Sequence, residues 1–382
     1  MRRPPWLDGD AHFLVALALL VALGLIFLSS ASAPLAFERF HNRSYYVIHQ
    51  VLSGVLPGIV AFLVCARLRR ALLPRMAIAL YAASIVLLAL VFIPGLGVTY
   101  GRTRNWLAFG PLTFQPAEIA KLGLILALAA WATVRRPSWF HVRSWSFGLL
   151  PFLAVLGVIA GMVALQPDVG TMAIIVAIGV AVAFAAGIPW LHLGALVVAG
   201  AALLSGLIAA APYRLARLTV FLHPEFDPKG IGYQVNQALL AVGSGGFFGV
   251  GLGHSRQKFS FLPEVISDSI FAIIAEEIGF VFALAFLALI AYVIWRVLRS
   301  ALHATDAFDR LVLIGIAAWW GTQSFVNIGA MVGLLPVTGL PLPFVSYGGT
   351  AMVVAFAAAG IVANISQAHD QSGCSAPSRV RR

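Results

Sequence analysis

Residues 146–187 read SFGLLPFLAVLGVIAGMVALQPDVGTMAIIVAIGVAVAFAAG, and this stretch decides the fold class. It contains two long apolar runs, which are separated by the short polar break Gln166-Pro167-Asp168. An α-helix needs about 20 apolar residues to cross the ~30 Å hydrocarbon core of a bilayer. The runs are continuous and do not alternate with polar residues, which favours helices over barrel strands. The stretch therefore predicts two neighbouring membrane-spanning helices.

The same pattern recurs along the whole chain of 382 residues, which is 61% hydrophobic and only 10% charged. Soluble domains carry roughly 25% charged residues, and the apolar runs leave no room for a separate soluble domain. We predict an all-α polytopic membrane protein of about ten transmembrane helices, with one membrane domain over residues 1–366 and a disordered cytoplasmic tail over residues 367–382. The predicted spans are 12–32, 46–66, 76–95, 116–134, 146–165, 169–187, 191–211, 268–295, 311–334 and 347–366.

The net charge of +11 is distributed unevenly between the two sides of the predicted membrane. Ten spans put both termini on one side, and the segments on that side hold 15 of the 25 Lys and Arg residues but only five of the 14 acidic residues. Because an excess of Lys and Arg marks cytoplasmic loops, both termini are predicted to be cytoplasmic. These basic residues lie in short loops, so the charge indicates topology and no nucleic-acid partner.

The extracytoplasmic side has two larger polar segments, at about 96–115 and 212–267, and the second is a loop of about 55 residues between helices 7 and 8. Loops of this length are usually functional or disordered, and the Gly, Pro, Phe and paired charges of this one favour function. Asp268 stands where the loop meets the eighth span. Ser267 or Asp268 could cap that helix. Alternatively, partial burial could raise the pKa of Asp268 toward neutrality, as a general base requires.

Several other polar residues are candidates for the predicted outer side. Glu118 and Lys121 share a helix face, and they could form a structural ion pair or line a wet cavity. The segment with Arg102, Arg104 and Trp106 could bind an anionic head group or anchor the chain at the interface.

Further candidates lie around the long loop and after it. Glu276 and Glu277 enter the eighth span, where at least one should face inward toward a partner that the sequence does not identify. The loop glycines could approach a phosphate or supply turns. Residues 336–349 are a Pro- and Gly-rich stretch, and such non-helical backbone must pack on protein or line a cavity. Gln323 and Asn327 could donate hydrogen bonds to it.

Five ordered motifs resemble the SEDS family of shape, elongation, division and sporulation proteins (FtsW/RodA/SpoVE), over residues 12–366. The motifs are Arg104 and Trp106 with Gln115-Pro116-Ala117-Glu118 and Lys121, then Gln166-Pro167-Asp168-Val169-Gly170-Thr171, then Gly232-Tyr233-Gln234 with Gly243-Ser244-Gly245-Gly246, then Pro263-Glu264 and Asp268 with Glu276-Glu277, and Pro336 through Gly349. The segment Gly251–Lys258 looks like the FtsW cell-division branch. The family commonly has His-Thr-Asp-Phe around its functional acid, whereas this chain has Ile266-Ser267-Asp268-Ser269.

The resemblance implies a peptidoglycan glycosyltransferase that polymerises lipid II into β-1,4 glycan strands during septal wall synthesis and cell division, with Asp268 as its catalytic base. The expected substrate-binding residues are Arg102, Arg104, Trp106, Glu118, Lys121, Arg214, Arg217, Lys258, Glu264, Gln323, Asn327, Thr338 and Ser346. No cofactor is certain; a divalent cation, Mg²⁺ or Mn²⁺, could assist, although no His/Cys cluster marks a metal site.

The expected partners are lipid II with the growing glycan strand, a class B penicillin-binding transpeptidase and other divisome membrane proteins. The expected location is the bacterial cytoplasmic membrane at the division septum. Two alternatives stay open at this point. One is a lipid II flippase, which the intramembrane ionisable residues would also suit; the other is a non-catalytic scaffold for a division transpeptidase.

Overall fold

A computed structural model of the chain describes residues 10–100, 103–110, 112–133, 148–223, 226–227 and 230–374. Its helices are α1 (Ala11–Phe40), α2 (Tyr45–Gln50), α3 (Leu56–Arg67), α4 (Leu73–Leu90), α5 (Pro116–Thr133), α6 (Leu150–Leu165), α7 (Val169–Ala185), α8 (Trp190–Ala209), α9 (Pro212–Leu222), α10 (Ile231–Ser244), α11 (Ile270–His303), α12 (Ala307–Met331) and α13 (Gly349–Cys374). A π-helical turn, Val51–Val55, joins α2 to α3, and a 3₁₀ turn, Arg70–Leu72, precedes α4.

The predicted spans coincide with these helices. Within the described residues, eight helical stretches are long and apolar enough to cross a membrane, by length and composition. The shorter apolar helices α6 and α7 occupy the fifth and sixth predicted spans. The expectation of a helical membrane fold therefore agrees with the structure, which has eight candidate spans and two shorter apolar helices where ten spans were predicted. Which side each end faces stays a prediction.

A small antiparallel sheet departs from the all-α prediction. It consists of β1 (Gly97–Tyr100), β2 (Thr103–Phe109) and β3 (Leu112–Phe114), in the order β1-β2-β3. The sheet occupies the polar outer segment that precedes α5. Its Val, Thr, Tyr, Trp and Phe residues favour strands, and the segment is too short and too polar to form another spanning helix.

Two further boundaries differ from the prediction. The long loop contains the helices α9 and α10, so part of it is regular structure. The last helix runs to Cys374, beyond the boundary predicted at residue 366. Residues 375–382, the rest of the predicted tail, lie outside the described residues.

The packing divides the helices into central and peripheral ones. In the apolar windows of α5, α12 and α13, 67%, 61% and 72% of the residues are buried, against 17% in α8. The pair α3 and α13 packs closely because small residues allow it: a Cβ added to Gly58 would lie 2.5 Å from the Phe356 ring. Small residues at contact points are typical of membrane helix pairs.

Helix α11 is interrupted at Gly279, whose φ of 74° and ψ of 178° are not helical. The backbone after α10 fills the gap: Val250 N–H donates to the Glu276 carbonyl at 3.0 Å, and Phe280 N–H donates to the Gly246 carbonyl at 2.9 Å. A Cβ on Gly279 would lie 2.1 Å from the Gly249 nitrogen, so only glycine fits there. The re-entrant backbone thereby satisfies polar groups that lipid would leave unpaired.

The contacts between helix ends fit an alternating topology. At one end, Arg296 forms an ion pair with Asp10, and Arg70 lies 3.5 Å from Asp309. All four residues belong to segments predicted to be cytoplasmic. At the opposite end, the starts of α5 and α7 are joined through Asp168, which accepts from Gln115 and from Thr171 N–H.

Candidate functional site

Asp268 lies two residues before the start of α11, at the end of the long loop. Its residue is only 5% exposed. The capping alternative is wrong, because the N-cap residue of α11 is Ser269 and no side chain caps this helix end. The carboxylate is therefore available for another role.

The surroundings of Asp268 offer few groups that would stabilise its charge. Its Oδ2 accepts a hydrogen bond from Gln234 Nε2 at 3.3 Å, and Ser269 Oγ lies 3.5 Å from Oδ1. No salt bridge to this carboxylate occurs among the described residues. Arg217 and Glu264 are the charged side chains that act on it electrostatically.

These surroundings raise the pKa of Asp268 to about 7. Burial is the main cause, because it penalises the charged form, and the neighbouring negative charge of Glu264 acts in the same direction. The hydrogen bond from Gln234 and the charge of Arg217 oppose the shift. A carboxylate with a pKa near the working pH can accept a proton and is partly ionised before it does so, which suits a general base.

A non-helical segment, Leu340–Gly348, crosses over the backbone on the N-terminal side of Asp268; we call it the strap. The hydroxyl of Ser346 donates to the Ser267 carbonyl and accepts from Leu342 N–H. The N–H of Tyr347 donates to the Ile266 carbonyl at 2.8 Å. The strap is thus bonded to the two residues that precede the catalytic candidate.

Two amide side chains of α12 hold the strap, as the sequence predicted. Asn327 Nδ2 donates to the Leu340 carbonyl at 2.7 Å and to the Asp268 carbonyl at 2.8 Å. Gln323 Nε2 donates to the Pro341 carbonyl at 2.8 Å. Asn327 therefore contacts both the strap and the backbone of the candidate base.

The pair Glu118 and Lys121 is fully buried inside the bundle. Lys121 Nζ lies 2.8 Å from Glu118 Oε1 and 2.8 Å from Gln323 Oε1, and it stands 4.7 Å above the Trp319 ring. This geometry supports the structural ion-pair alternative. A substrate-binding role for either residue stays a prediction.

A second buried pair anchors the long loop to α11. Lys258 Nζ lies 2.8 Å from Glu277 Oε1, which also accepts from Ser30 Oγ at 2.6 Å. The neighbouring Glu276 accepts hydrogen bonds from Ser255 Oγ and from Arg256 N–H. Both acids of the eighth span are buried, and these contacts supply the partners that the sequence did not identify.

Arg217 of α9 is the cation that acts electrostatically on Asp268. Arg217 is half-buried, lies 5.2 Å from the Tyr213 ring centre and donates to the Val337 carbonyl at 3.3 Å. Arg214, also half-buried, donates to the Leu207 carbonyl at 2.7 Å. Arg217 makes no salt bridge within the described part of the chain, so its charge is available to an anionic ligand.

The predicted head-group residues lie on the sheet. Arg104 Nη2 donates to the Ile93 carbonyl at 2.8 Å, and Trp106 pairs with Val98 in the ladder between β1 and β2. Arg102 lies outside the described residues.

Asp168 caps the start of α7, and sequence reasoning missed what else this carboxylate binds. Oδ1 accepts from Thr171 N–H at 3.0 Å. Oδ2 accepts from Asn105 Nδ2 at 2.8 Å and from Gln115 Nε2 at 3.3 Å. Asp168 thus joins the sheet, the start of α5 and the start of α7. The sequence did contain a signal for this network, since all of the residues that bind Asp168 lie in or beside the family motifs.

The two remaining candidates lie on either side of the site. Glu264 is exposed, has a φ of 52° and accepts from Ser267 Oγ at 2.8 Å. Thr338 packs against Gly170 at the start of α7, where an added Cβ would lie 3.1 Å from Thr338 Cβ. Their roles toward a substrate stay predictions.

Within the described residues, no group of three or more His, Cys, Asp or Glu side chains could hold a metal ion. The acids nearest to each other at the site are Asp268 and Glu264. Magnesium is commonly bound by one or two carboxylates together with substrate phosphates. A role for Mg²⁺ or Mn²⁺ at this site stays a prediction.

Comparisons with known proteins agree with this arrangement. A family model described as "Cell cycle protein", for FtsW, RodA and SpoVE, matches residues 10–371. The stage V sporulation protein E of Bacillus subtilis is 36% identical over 358 residues, covering 94% of this chain and 97% of that protein. The probable peptidoglycan glycosyltransferase FtsW of Thioalkalivibrio sulfidiphilus is 37% identical over 376 residues, covering 98% of this chain and 92% of that protein.

Solved structures show the same similarity. A chain in a structure described as "Structural coordination of polymerization and crosslinking by a peptidoglycan synthase complex" is 31% identical with a TM-score of 0.77, covering 95% of this chain and 99% of that chain. The rod shape determining protein RodA of Thermus thermophilus is 32% identical with a TM-score of 0.69, covering 96% and 98%. The chain therefore belongs to the FtsW/RodA/SpoVE family of cell cycle proteins.

Proposed function

We propose that this chain is a peptidoglycan glycosyltransferase that polymerises lipid II into β-1,4 glycan strands, with Asp268 as the general base. The observation that carries the proposal is a buried carboxylate just before the start of α11 whose pKa is raised to about 7. The strap and Asn327 hold its backbone in place. Relatives named peptidoglycan glycosyltransferase FtsW support the same activity.

The proposed reaction is a single displacement between two polyprenyl-linked substrates. Asp268 accepts the proton of the 4-hydroxyl on the GlcNAc of the acceptor lipid II. That oxygen forms a bond to C1 of the donor MurNAc as the bond from C1 to the diphosphate breaks. Undecaprenyl pyrophosphate leaves, and the configuration at C1 inverts from α to β.

The leaving diphosphate gains negative charge, so the site needs cations that stabilise it. Arg217 is the first candidate, because it acts on Asp268 electrostatically and is free of a salt bridge within the described residues. Arg214 lies one turn earlier on α9. Lys121 and Lys258 are weaker candidates, since each is buried against a glutamate. We include Mg²⁺ or Mn²⁺ in the proposal as an ion carried by the diphosphate.

The proposal extends to location and partners. Because the chain belongs to a cell cycle family and resembles its FtsW branch, we place it in the bacterial cytoplasmic membrane at the division septum. A class B penicillin-binding transpeptidase is its proposed partner, together with other divisome membrane proteins. The similarity to a chain from a complex of polymerization and crosslinking supports the transpeptidase.

The test is polymer synthesis from lipid II by the purified chain in detergent, with and without a class B transpeptidase. We expect Asp268→Asn to lower the rate by about 10²–10⁴-fold, the range that a general base contributes. The matched control is Asp309→Asn, which changes a buried acid at the opposite end of the bundle. This control should retain the wild-type rate per folded molecule.

The assay also separates the alternatives. A flippase makes no polymer in detergent, where there are no leaflets. A non-catalytic scaffold makes no polymer with or without the transpeptidase, because a transpeptidase crosslinks peptides and forms no glycosidic bonds. Full activity of Asp268→Asn would remove the base assignment, and an inactive wild-type chain with its partner present would remove the enzyme assignment.

A further inference from the structure

Gln50, the last residue of α2, is fully buried and has both ends of its amide bonded to the strap. Its Nε2 donates to the Ser346 carbonyl at 3.3 Å, and its Oε1 accepts from Gly348 N–H at 3.0 Å. A π-helical turn follows immediately at Val51–Val55. Such turns are rare, and those that do occur are often found at functional sites. Sequence reasoning did not select this residue.

The strap residues on which Gln50 acts are the ones that bind the backbone beside Asp268. The Ser346 hydroxyl donates to the Ser267 carbonyl, and Tyr347 N–H donates to the Ile266 carbonyl at 2.8 Å. A continuous set of hydrogen bonds therefore leads from the Gln50 amide through three consecutive strap residues to the two residues before Asp268. Asn327 binds the Asp268 carbonyl from the other side.

The frame that carries Gln50 is closely packed. The next turn contains Gly54, where an added Cβ would lie 3.2 Å from Met352 on α13 and 3.4 Å from the backbone of Gly349. The strap runs directly into α13 at Gly349. This packing of the turn after Gln50 against the start of α13 holds the Gln50 amide in a fixed position beside the strap.

We propose that Gln50 is a positioning residue for Asp268 and acts through the strap. By binding the Ser346 carbonyl and the Gly348 N–H, Gln50 keeps the strap in the position from which it binds Ile266 and Ser267. A leucine at this position keeps the volume but leaves both strap groups unpaired in a buried site. Unpaired buried backbone groups are costly, so the strap would move until water reaches them. The same movement would loosen the enclosure of Asp268.

The experiment compares Gln50→Leu with Asn364→Leu. Asn364 is also a buried amide, and its Nδ2 donates to the carbonyls of Cys65 and Leu68. It joins α13 to the end of α3 and makes no hydrogen bond to the strap, and it therefore controls for the loss of a buried amide elsewhere in the bundle. The first readout is hydrogen–deuterium exchange of peptides that cover residues 262–272 and 340–350, which does not require activity.

In the first readout we expect faster exchange in both peptides for Gln50→Leu and wild-type exchange for Asn364→Leu. Unchanged exchange in Gln50→Leu, or equal acceleration in the control, would overturn the inference. This outcome is independent of whether the chain makes polymer, so the inference and the proposed function fail separately.

The second readout is the kinetics of polymer synthesis, which rests on the proposed function. Because small displacements of a catalytic group cost up to ~10²-fold in rate, we expect kcat of Gln50→Leu to fall at least ~10-fold while KM stays within about twofold. Glu264 and Arg217, the charged groups that face Asp268, are unchanged in both variants. Water that enters beside Asp268 should therefore shift the acidic limb of the rate profile to lower pH. A reduced kcat with an unshifted limb would contradict the positioning role.

Discussion

Three buried carboxylates of this protein, Glu118, Glu277 and Asp268, differ in their partners. Glu118 and Glu277 each lie 2.8 Å from a lysine, and both lysines are also at most 4% exposed. Asp268 is buried to a similar degree but accepts only from neutral side chains, Gln234 and Ser269. Buried charges are stable when they are paired and hydrogen-bonded, and otherwise the group changes its pKa.

The difference separates structural acids from a reactive one. A glutamate paired with a buried lysine fixes how two segments pack. An unpaired aspartate near a cationic helix can exchange a proton near neutral pH, which is what catalysis requires. Sequence spacing alone does not distinguish the two groups, since all three acids lie near the start of a predicted span.

The largest expected effect is on stability and comes from breaking a pair. Lys258→Met leaves Glu277 buried without its cation, and removing one partner of a buried ion pair typically costs about 3–5 kcal/mol. We therefore expect a clearly lower midpoint of thermal unfolding in detergent. Adding Glu277→Gln should restore most of the loss, because the amide oxygen still accepts from Ser30 Oγ.

The double variant also sharpens the comparison. If Lys258 serves only its ion pair, the folded double variant polymerises lipid II at close to the wild-type rate. A stable double variant without activity would show that Lys258 contacts the substrate, as the resemblance implied. A single variant with wild-type stability would contradict the structural role of the pair.

A smaller effect with the opposite sign is expected for Asp268→Asn. The folded-state pKa, about 7, lies above the ordinary value of 3.8, so the folded protein binds this proton more tightly than the unfolded chain. Wild-type stability therefore falls as the pH rises from about 4 to about 7, whereas asparagine does not titrate. The variant should gain about 2–3 kcal/mol relative to the wild type between pH 5 and pH 8.

Thermal unfolding at several pH values measures this difference, with Asp309→Asn as the comparison. The midpoint of Asp268→Asn should rise relative to the wild type as the pH increases. A constant offset between the two proteins across this range would mean that Asp268 titrates normally and is not desolvated.

Most of the fold could be predicted from the sequence, because a run of about 20 apolar residues in a bilayer has to form a helix that pairs its own backbone groups. All ten predicted spans coincide with helices, with ends displaced by several residues in places. The largest displacements, eight residues each, are at the C-terminal ends of α11, α13 and α1, and α1 continues to Phe40, beyond the end predicted at residue 32. Polar residues such as Glu38 and Arg39 made that last section appear to be a loop.

Less of the site could be predicted, since it depends on contacts between residues far apart in the chain. The hydrogen bonds of Gln323 and Asn327 to the strap were predicted correctly because polar side chains inside an apolar span need partners, whereas their binding of substrate stays a prediction. Gln50 was overlooked because it lies at a span end, where a polar residue is unremarkable without knowledge of the strap 296 residues later. The network of Asp168 depends on the fold of the sheet, which strand propensity alone does not place against α7.

The most direct test of the account is the pH dependence of kcat for polymer synthesis from lipid II between pH 5 and pH 9. If Asp268 is the general base, the rate is low at pH 5, rises with a midpoint near 7 and loses this limb in Asp268→Asn. A flat profile, or a midpoint near pH 4 that is typical of an exposed carboxylate, would contradict the central claim that the unpaired, desolvated acid carries the reaction.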